Sequence, residues 1–570
     1  MTIFKDIKAL GAGAIPRAAY EASKKFGGHR LLFKSVGSGG TVCSVGSYRV
    51  PEIETAAAQA TLADAHAVIT DGLLVFGRRF PVQSARDWIT DPLSGQPWPQ
   101  APWWTIDIRS DRRLGDIKWM WELGRHRDLV VLARAAALEP DHHDWLEHLD
   151  QLLLWWFEAN PLENSVHWYS NLELSLRLFA WDQVWVLVGP RLSRRTADLL
   201  SLHINQMRRH LWRDLPYTLS SMRNNHMLGD ALGLGLAENL TGHRNAGIRA
   251  RVGSRMWTAQ MGRQVNADGS MIEDSVSYHR FVLEILIARL ITGEQSLELI
   301  SAVSRSSRYL ADLGALEGAI PQYGDWDEGR VLTSSRSPLD VGNSVALGLA
   351  LTGEAIGSDW CDKFDLLPWY APKIVPNDKP VKHRSAITVG EMAVVRRGPW
   401  EVWLKAGSGP SHGHADLGHV SARFNGQWLI PDPGTGTYNG PLYVRNGFRA
   451  SRGHNVLRPL GVEQIEAHRA FRWMSRPVGK AGRIIETPDS TVMWSVHNAF
   501  AIQEPSPWPW RIARTVIVTD QGLAVIDWRE NDSQQEFELT IPFSPQCETL
   551  GPNVILSGKR LTFSAPGKVR

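Results

Sequence analysis

The feature that most constrains this chain is a change in the period of its apolar residues. From about Leu114 to about Gly353 they recur at helical spacing. In TADLLSLHINQMRRHLWRDL, Leu200, Ile204, Met207 and Leu211 fall at i, i+4, i+7 and i+11, which is one buried helix face. DIKWMWELGRHRDLVVLARAAAL and SVSYHRFVLEILIARLI follow the same rule, with Pro, Gly or Asn turns between segments. After PKIVPNDKPVKHRSA the period drops to two. SARF and QWLI flank Asn425-Gly426, the favoured pair of a type I′ hairpin turn, TVIVTDQGLAVIDW repeats the pattern, and FELTIPF reads as a further strand. The expectation is a helical domain over residues 1–385 and an antiparallel β-sandwich over 386–570. Non-identical helix pairs fit an incomplete α/α toroid better than a uniform solenoid.

A chain of 570 residues is long enough to bury an active site, and its net charge of +3 argues against a nucleic-acid protein held by many phosphate contacts. Cys43, Cys361 and Cys547 stand far apart, so neither a disulfide framework nor a thiolate zinc site is indicated, and any metal must be held by His and carboxylate. The N-terminal stretch has scattered charges and no continuous apolar core, and no segment reaches eighteen apolar residues. The expectation is a cytoplasmic protein without a membrane partner, with a periplasmic or secreted location as the alternative. Tryptophans crowd between Trp88 and Trp185, in APWW, KWMWELGRH, LLLWWF and VHWYS. They read as core residues between helices, as a sugar-stacking cleft, or as both.

Four groups of residues can carry chemistry. GPSHGHADLGHV packs three histidines and an aspartate into twelve residues; Gly413 lets His412 and His414 diverge from the common strand face that their spacing would impose. His414, with Asp432 in LIPDPGTGTYNG and His454 in SRGHNVLRP, forms a plausible set for zinc, while each alone also reads as a surface histidine or a turn aspartate. In SMRNNHMLGD, Asn224, Asn225 and His226 open a helix, as caps or as an amide and imidazole facing an anion. In NADGSMIEDSVSYHRFVLEIL, Tyr278, Phe281, Val282 and Ile285 form an apolar stripe, so Tyr278 is a core residue or a proton carrier at a cleft. PQYGDWDEGR offers Asp325, Asp327 and Glu328, as the carboxylates of a glycosidase or as a turn.

In this order, DIKWMWELGRH, NPLENSVHWYSNLELSLR, MRNNHMLGDAL, DGSMIEDSVSYHRFVLEIL, PQYGDWDEGR, SHGHADLGHVSARFNGQWLIPDPGTGTYN and FRASRGHNVL resemble the heparinase II/III-like polysaccharide lyases. The resemblance spans about residues 116–456. It implies a toroid followed by a sandwich and β-elimination at a uronic acid, leaving a C4=C5 unsaturated sugar. By resemblance, Asn225 and His226 meet the substrate carboxylate, with His226 a base for one C5 configuration. Tyr278 donates to the leaving oxygen and, in a syn elimination, takes the C5 proton. His412 helps to neutralise the carboxylate. Trp168, Glu273, Tyr438, Tyr443, Arg445 and Arg449 are the expected substrate contacts, with Tyr438 or Tyr443 as the tyrosine that the family offers from the sandwich side and an exposed turn as the other reading of the two arginines. His414, Asp432 and His454 are the implied ligands of one structural zinc, with no organic cofactor, and Asp416 and His419 read as local hydrogen-bonding partners. Asn455-Val456 departs from the family's usual Asn-Thr.

The implied partner is an acidic polysaccharide, with a glycosaminoglycan ahead of alginate or a bacterial exopolysaccharide, acted on by a monomer or homodimer. Two other classes stand beside the lyase: a toroid glycoside hydrolase using Glu273 or the PQYGDWDE carboxylates, and a non-catalytic glycan-binding protein.

Overall fold

The computed structural model describes residues 14–562 apart from 36, 38, 109–113, 223, 244–246, 328, 338, 355, 372–383, 408–411, 438–440, 470–471, 503–510, 530–535, 551–552 and 557–558. Two compact units emerge. The first comprises the described residues of Met1–Val265, Phe281–Ser304 and Glu328–Val381; the second those of Asn266–Arg280, Arg305–Asp327 and Lys382–Arg570.

The first unit is a succession of helices. Helix α1 (Asn171–Val188), α2 (Arg194–Ser221), α3 (Asn225–Leu240) and α4 (Ile248–Gln264) carry its centre, with α3 packed against the other three. Leu200, Ile204, Met207 and Leu211 are all buried, as their period demands. DIKWMWELGRHRDLVVLARAAAL forms two helices rather than one, Ile117–Leu123 and Arg127–Leu138, because His126 sits at φ 62° and breaks the turn. Many of the tryptophans are core, with Trp88, Trp145, Trp156, Trp168 and Trp181 at most 1% exposed, while Trp104, Trp119, Trp121, Trp155 and Trp185 are half-buried. Truncating any of the core ones to alanine removes a large apolar volume, at about 3–5 kcal/mol.

The second unit holds two principal antiparallel sheets. The first runs β1 (Ala386–Val389), β2 (Met392–Arg397), β3 (Trp400–Lys405), β4 (Val420–Phe424) and β5 (Gln427–Ile430) in sequence order. Its β4–β5 turn has φ 49° at Asn425 and 76° at Gly426, the left-handed pair that a type I′ turn requires. The second sheet is built on β6 (Gly479–Ala481), β7 (Thr491–His497), β8 (Ile512–Val518) and β9 (Leu523–Arg529). Val395, Val402, Leu404 and Ala422 of one sheet share a core with Met493, Val516 and Val518 of the other. FELTIPF contributes only the two-residue strand Phe537–Glu538, paired with Arg458–Pro459. Among the described residues no helix is long and apolar enough to cross a membrane.

Two non-sheet segments complete this unit, Asn266–Arg280 and Arg305–Asp327. Gly324 explains how closely they approach the loop between β3 and β4. At φ +71° a side chain there would be strained, and a Cβ would stand 2.6 Å from the Asp274 carbonyl oxygen and 2.8 Å from that of His412. The next residue closes the contact, its N–H donating to the His412 carbonyl at 2.8 Å.

Candidate functional site

Within the second unit, three chain segments bring together residues that lie far apart in sequence. Tyr278 stands in the first turn of helix α5 (Val276–Ile291), whose start is fixed by the Val276 N–H on the Tyr323 carbonyl. Its ring stacks on that of His412 with centroids 3.7 Å apart and planes 11° from parallel. The Tyr278 hydroxyl donates to Asp327 Oδ2 at 3.1 Å. His412 Nδ1–H donates to Asp325 Oδ2 at 3.0 Å, and Glu273 Oε2 lies 3.7 Å from its Nε2. A carboxylate accepts only, so the contact holds the His412 proton on Nδ1 and leaves Nε2 as the basic nitrogen.

Asp325 is 1% exposed and is the hub of this arrangement. Oδ2 also accepts from Arg445 Nη2 at 2.7 Å, and Oδ1 accepts from His414 Nε2–H at 3.4 Å. Burial alone would raise its pKa, but the hydrogen bonds from His412 and His414, with the Arg445 charge, outweigh that and hold it well below the ordinary carboxylate range. An acid held ionised this firmly has no proton to give a glycosidic oxygen.

His414 opens a second cluster. His414, Asp416 and His454 each offer one ligand atom, all within 4.8 Å of one another, and all three residues are buried. Asp432 adjoins them, its Oδ2 3.7 Å from His454 Nε2. Each of the four spends one side-chain atom on an orienting bond. His414 Nε2–H goes to Asp325, and His454 Nδ1–H to the Ala450 carbonyl at 2.9 Å. Asp416 Oδ1 accepts from Lys405 Nζ at 2.9 Å, and Asp432 Oδ1 from the Gly434 N–H at 2.9 Å. The other atoms, His414 Nδ1, His454 Nε2, Asp416 Oδ2 and Asp432 Oδ2, are buried without a hydrogen-bond partner.

That pattern is what a cation would satisfy. Burial and the neighbouring Asp416 charge raise Asp432 well above the usual carboxylate value, and burial lowers His454 to about 4. Two imidazole nitrogens and two carboxylate oxygens, each oriented by an outer hydrogen bond, suit a divalent metal of the zinc type. The local role expected of Asp416 is therefore corrected: Lys405 takes one of its oxygens and the other faces the cluster. His419 likewise reaches beyond its own loop, with Nε2 3.7 Å from Asp432 Oδ2 and 3.2 Å from Ser421 Oγ, and Nδ1 accepting from the Asn455 N–H at 3.3 Å. Lys405 also binds Asp274 Oδ2 at 2.7 Å. Burial would lower its ammonium, but Asp274 and Asp416 outweigh it and raise its pKa.

The first unit holds Asn225 and His226 at the start of α3. The Asn224 side chain caps this helix by accepting from the His226 N–H at 3.3 Å, the capping alternative for that residue. Asn225 is buried and His226 half-buried. The His226 charge helps to lower Glu173, after burial, which raises it, and Arg125, which binds it.

Other expected contacts are placed differently. Trp168 is 1% exposed and packed against His203 and His210, which corrects the idea that its face is open to a sugar. Arg445 and Arg449, in helix α6 (Leu442–Arg449), are buried rather than exposed in a turn. Arg445 donates to Asp325 and to the Thr437 carbonyl, and Arg449 to Asn446 Oδ1 at 2.9 Å while lying 4.4 Å over the Trp473 ring. Tyr443 is 79% exposed, Glu273 is buried, and Tyr438 lies outside the described residues. Sequence reasoning missed the pairing of Asp325 with both histidines. The only local signal was its place after Gly324 in an acidic loop.

A family model described as Heparinase II/III-like, C-terminal, matches residues 379–568. Among solved structures, a crystal structure of heparinase III is similar with a TM-score of 0.58 at 15% identity, over 87% of this chain and 75% of its own. A heparinase III gene product with methylated lysines is similar with a TM-score of 0.52 at 15% identity, over 89% of this chain and 82% of its own. At that identity the likeness is one of fold. No curated protein sequence matches the chain.

Proposed function

Since residues 379–568 match the family model described as Heparinase II/III-like, C-terminal, we propose that the chain is a polysaccharide lyase of that family. It cleaves a uronic-acid-containing polysaccharide by β-elimination, on the α/α-toroid and β-sandwich plan of that family. The observation that carries this reading is the Tyr278–His412 stack, with Asp327 on the hydroxyl and Asp325 on the imidazole. It puts a proton-carrying phenol against a ring whose tautomer is fixed, as elimination needs.

In the proposed reaction the C5 proton is taken by a base, the C4–O bond breaks as the C4=C5 bond forms, and the departing oxygen is protonated. Tyr278 supplies the last proton, and in a syn elimination its phenolate is also the base; His226 is the base for the opposite C5 configuration. Asn225 and His226 neutralise the uronate carboxylate, and His412 joins them when its Nε2 takes up a second proton, so that charge can build up at C5. His414, Asp416, Asp432 and His454 would hold a zinc ion, which would supply structural rigidity there. These residues hold the loop that presents His412, and no proton passes through them. The substrate class is a glycosaminoglycan, with alginate or an exopolysaccharide behind it. The firm ionisation of Asp325 speaks only against that residue as the acid of a glycosidase.

The test is an ultraviolet assay for unsaturated uronate across heparin, heparan, chondroitin, hyaluronan and alginate. Products without unsaturation would overturn the lyase. Tyr278→Phe is expected to lower kcat by about 10²–10⁴-fold while circular dichroism stays unchanged; an active variant removes Tyr278 from proton transfer.

A further inference from the structure

We infer that Asp325 is a positioning residue that ties the metal cluster to His412, so that metal occupancy sets the orientation of the imidazole in the reaction site. Its two oxygens are divided between the two histidines of the same loop, Oδ2 to His412 and Oδ1 to His414. The carboxylate is planar and stiff, so one plane governs both rings.

Asp325 is also held from every other side. Arg445 takes Oδ2, its own N–H goes to the His412 carbonyl, and its carbonyl accepts from Ser275 Oγ at 2.6 Å. These contacts keep the carboxylate on both histidines, so a tilt imposed by one ring reaches the other. The consequence runs both ways. The bond from His414 Nε2–H leaves Nδ1 as the metal-facing nitrogen and makes it a better donor. The bond from His412 Nδ1–H leaves Nε2 as the basic nitrogen. If His414 shifts when metal is lost, the carboxylate shifts with it and the His412 ring follows. An amide cannot replace this carboxylate, because the NH2 group that takes the place of one oxygen donates and cannot accept from the ring on that side.

The role of His412 in turnover rests on the lyase reading, whereas the link between Asp325 and metal does not. The full-length Asp325→Asn protein is compared with wild type in three measurements. Zinc affinity, read by competition with a chromogenic chelator, is expected to fall about 10–100-fold; an unchanged affinity overturns the metal arm. At saturating zinc, kcat is expected to stay about 10²-fold down with KM little changed. Full recovery overturns the His412 arm. Ring ¹⁵N signals of His412, assigned by their loss in His412→Gln, are expected to report an Nδ1–H tautomer in wild type and a changed one in Asp325→Asn.

Wild type stripped of zinc by a chelator supplies the same spectrum without any substitution. A shift or broadening of the His412 signals is expected, and signals identical with and without zinc overturn the coupling even if Asp325→Asn fails to fold. If no polymer yields unsaturated product, the lyase reading falls alone, because the chelator and ¹⁵N measurements still decide the role of Asp325.

Discussion

Each unit buries a set of histidines, and the two sets have opposite chemistry. In the helical unit, His126 accepts from Trp181 Nε1 at 2.8 Å, His167 Nε2–H donates to the Trp88 carbonyl at 2.9 Å, and Trp156 packs against both rings. His126 Nε2 and His167 Nδ1 lack hydrogen-bond partners. After burial, the charge of Arg177 depresses both histidines, His167 to about 3. In the sheet-bearing unit the unpartnered nitrogens of His414 and His454 converge with the unpartnered oxygens of Asp416 and Asp432 instead. The lesson is that an orphaned histidine nitrogen does not make a metal site. The sign of the charges around it does, because tryptophan and arginine exclude a cation where carboxylates invite one.

The sharpest way to break the comparison is to remove one histidine from each set. His454→Ala is expected to lose essentially all bound zinc, and His167→Ala to keep it, read by metal analysis of the purified proteins. Retention of zinc by His454→Ala would remove the cluster from consideration. Next in size are the buried cations. Lys405→Met leaves Asp416 and Asp274 without their counter-charge and is expected to cost about 3–5 kcal/mol in urea unfolding of metal-free protein. Arg177→Met loses hydrogen bonds to the Gly124 and His167 carbonyls and a cation–π contact 4.5 Å over the Trp156 ring and is expected to cost less, about 1–3 kcal/mol. Equal costs would show that the carboxylates around Lys405 do not set its importance.

The smallest effect is a slope. Asp230, buried in the helical unit with Thr218 and Asn171 on one oxygen, is raised from 3.8 to about 7, first by burial. A raised carboxyl keeps its proton in the folded state where the unfolded chain has lost it. Its contribution is therefore present at low pH and fades as pH rises from near 4 to near 7, by up to about 1.4 kcal/mol per pH unit. Asp230→Asn is expected to flatten the stability curve across that window. An unchanged slope in urea midpoints would mean that Asp230 ionises freely.

Much of the fold was legible because burial follows period. The stripe at Leu200, Ile204, Met207 and Leu211 and the Asn425-Gly426 turn needed only local geometry, and the structure bears both out. The break at His126 was not legible, since its positive φ follows no local residue signal. Of the candidate site, His414 and His454 are named through the resemblance carried by SHGHADLGHV and FRASRGHNVL, since spacing alone leaves each open as a surface histidine. Trp168 was misjudged because an indole has the same sequence signature whether its face is covered or open.

The sequence by itself determined which residue types were available for chemistry and which segments would be helix or strand, since both depend on side-chain identity and short-range spacing. Only the tertiary structure decided partnership. Gly324 lets two backbones approach closely enough for Asp325 to reach His412 and His414, 87 and 89 residues away. It also aims the second oxygen of Asp416 at the cluster rather than at a local N–H. Such contacts cross long stretches of chain, and their energies depend on burial and on the sign of neighbouring charge, which no local spacing encodes.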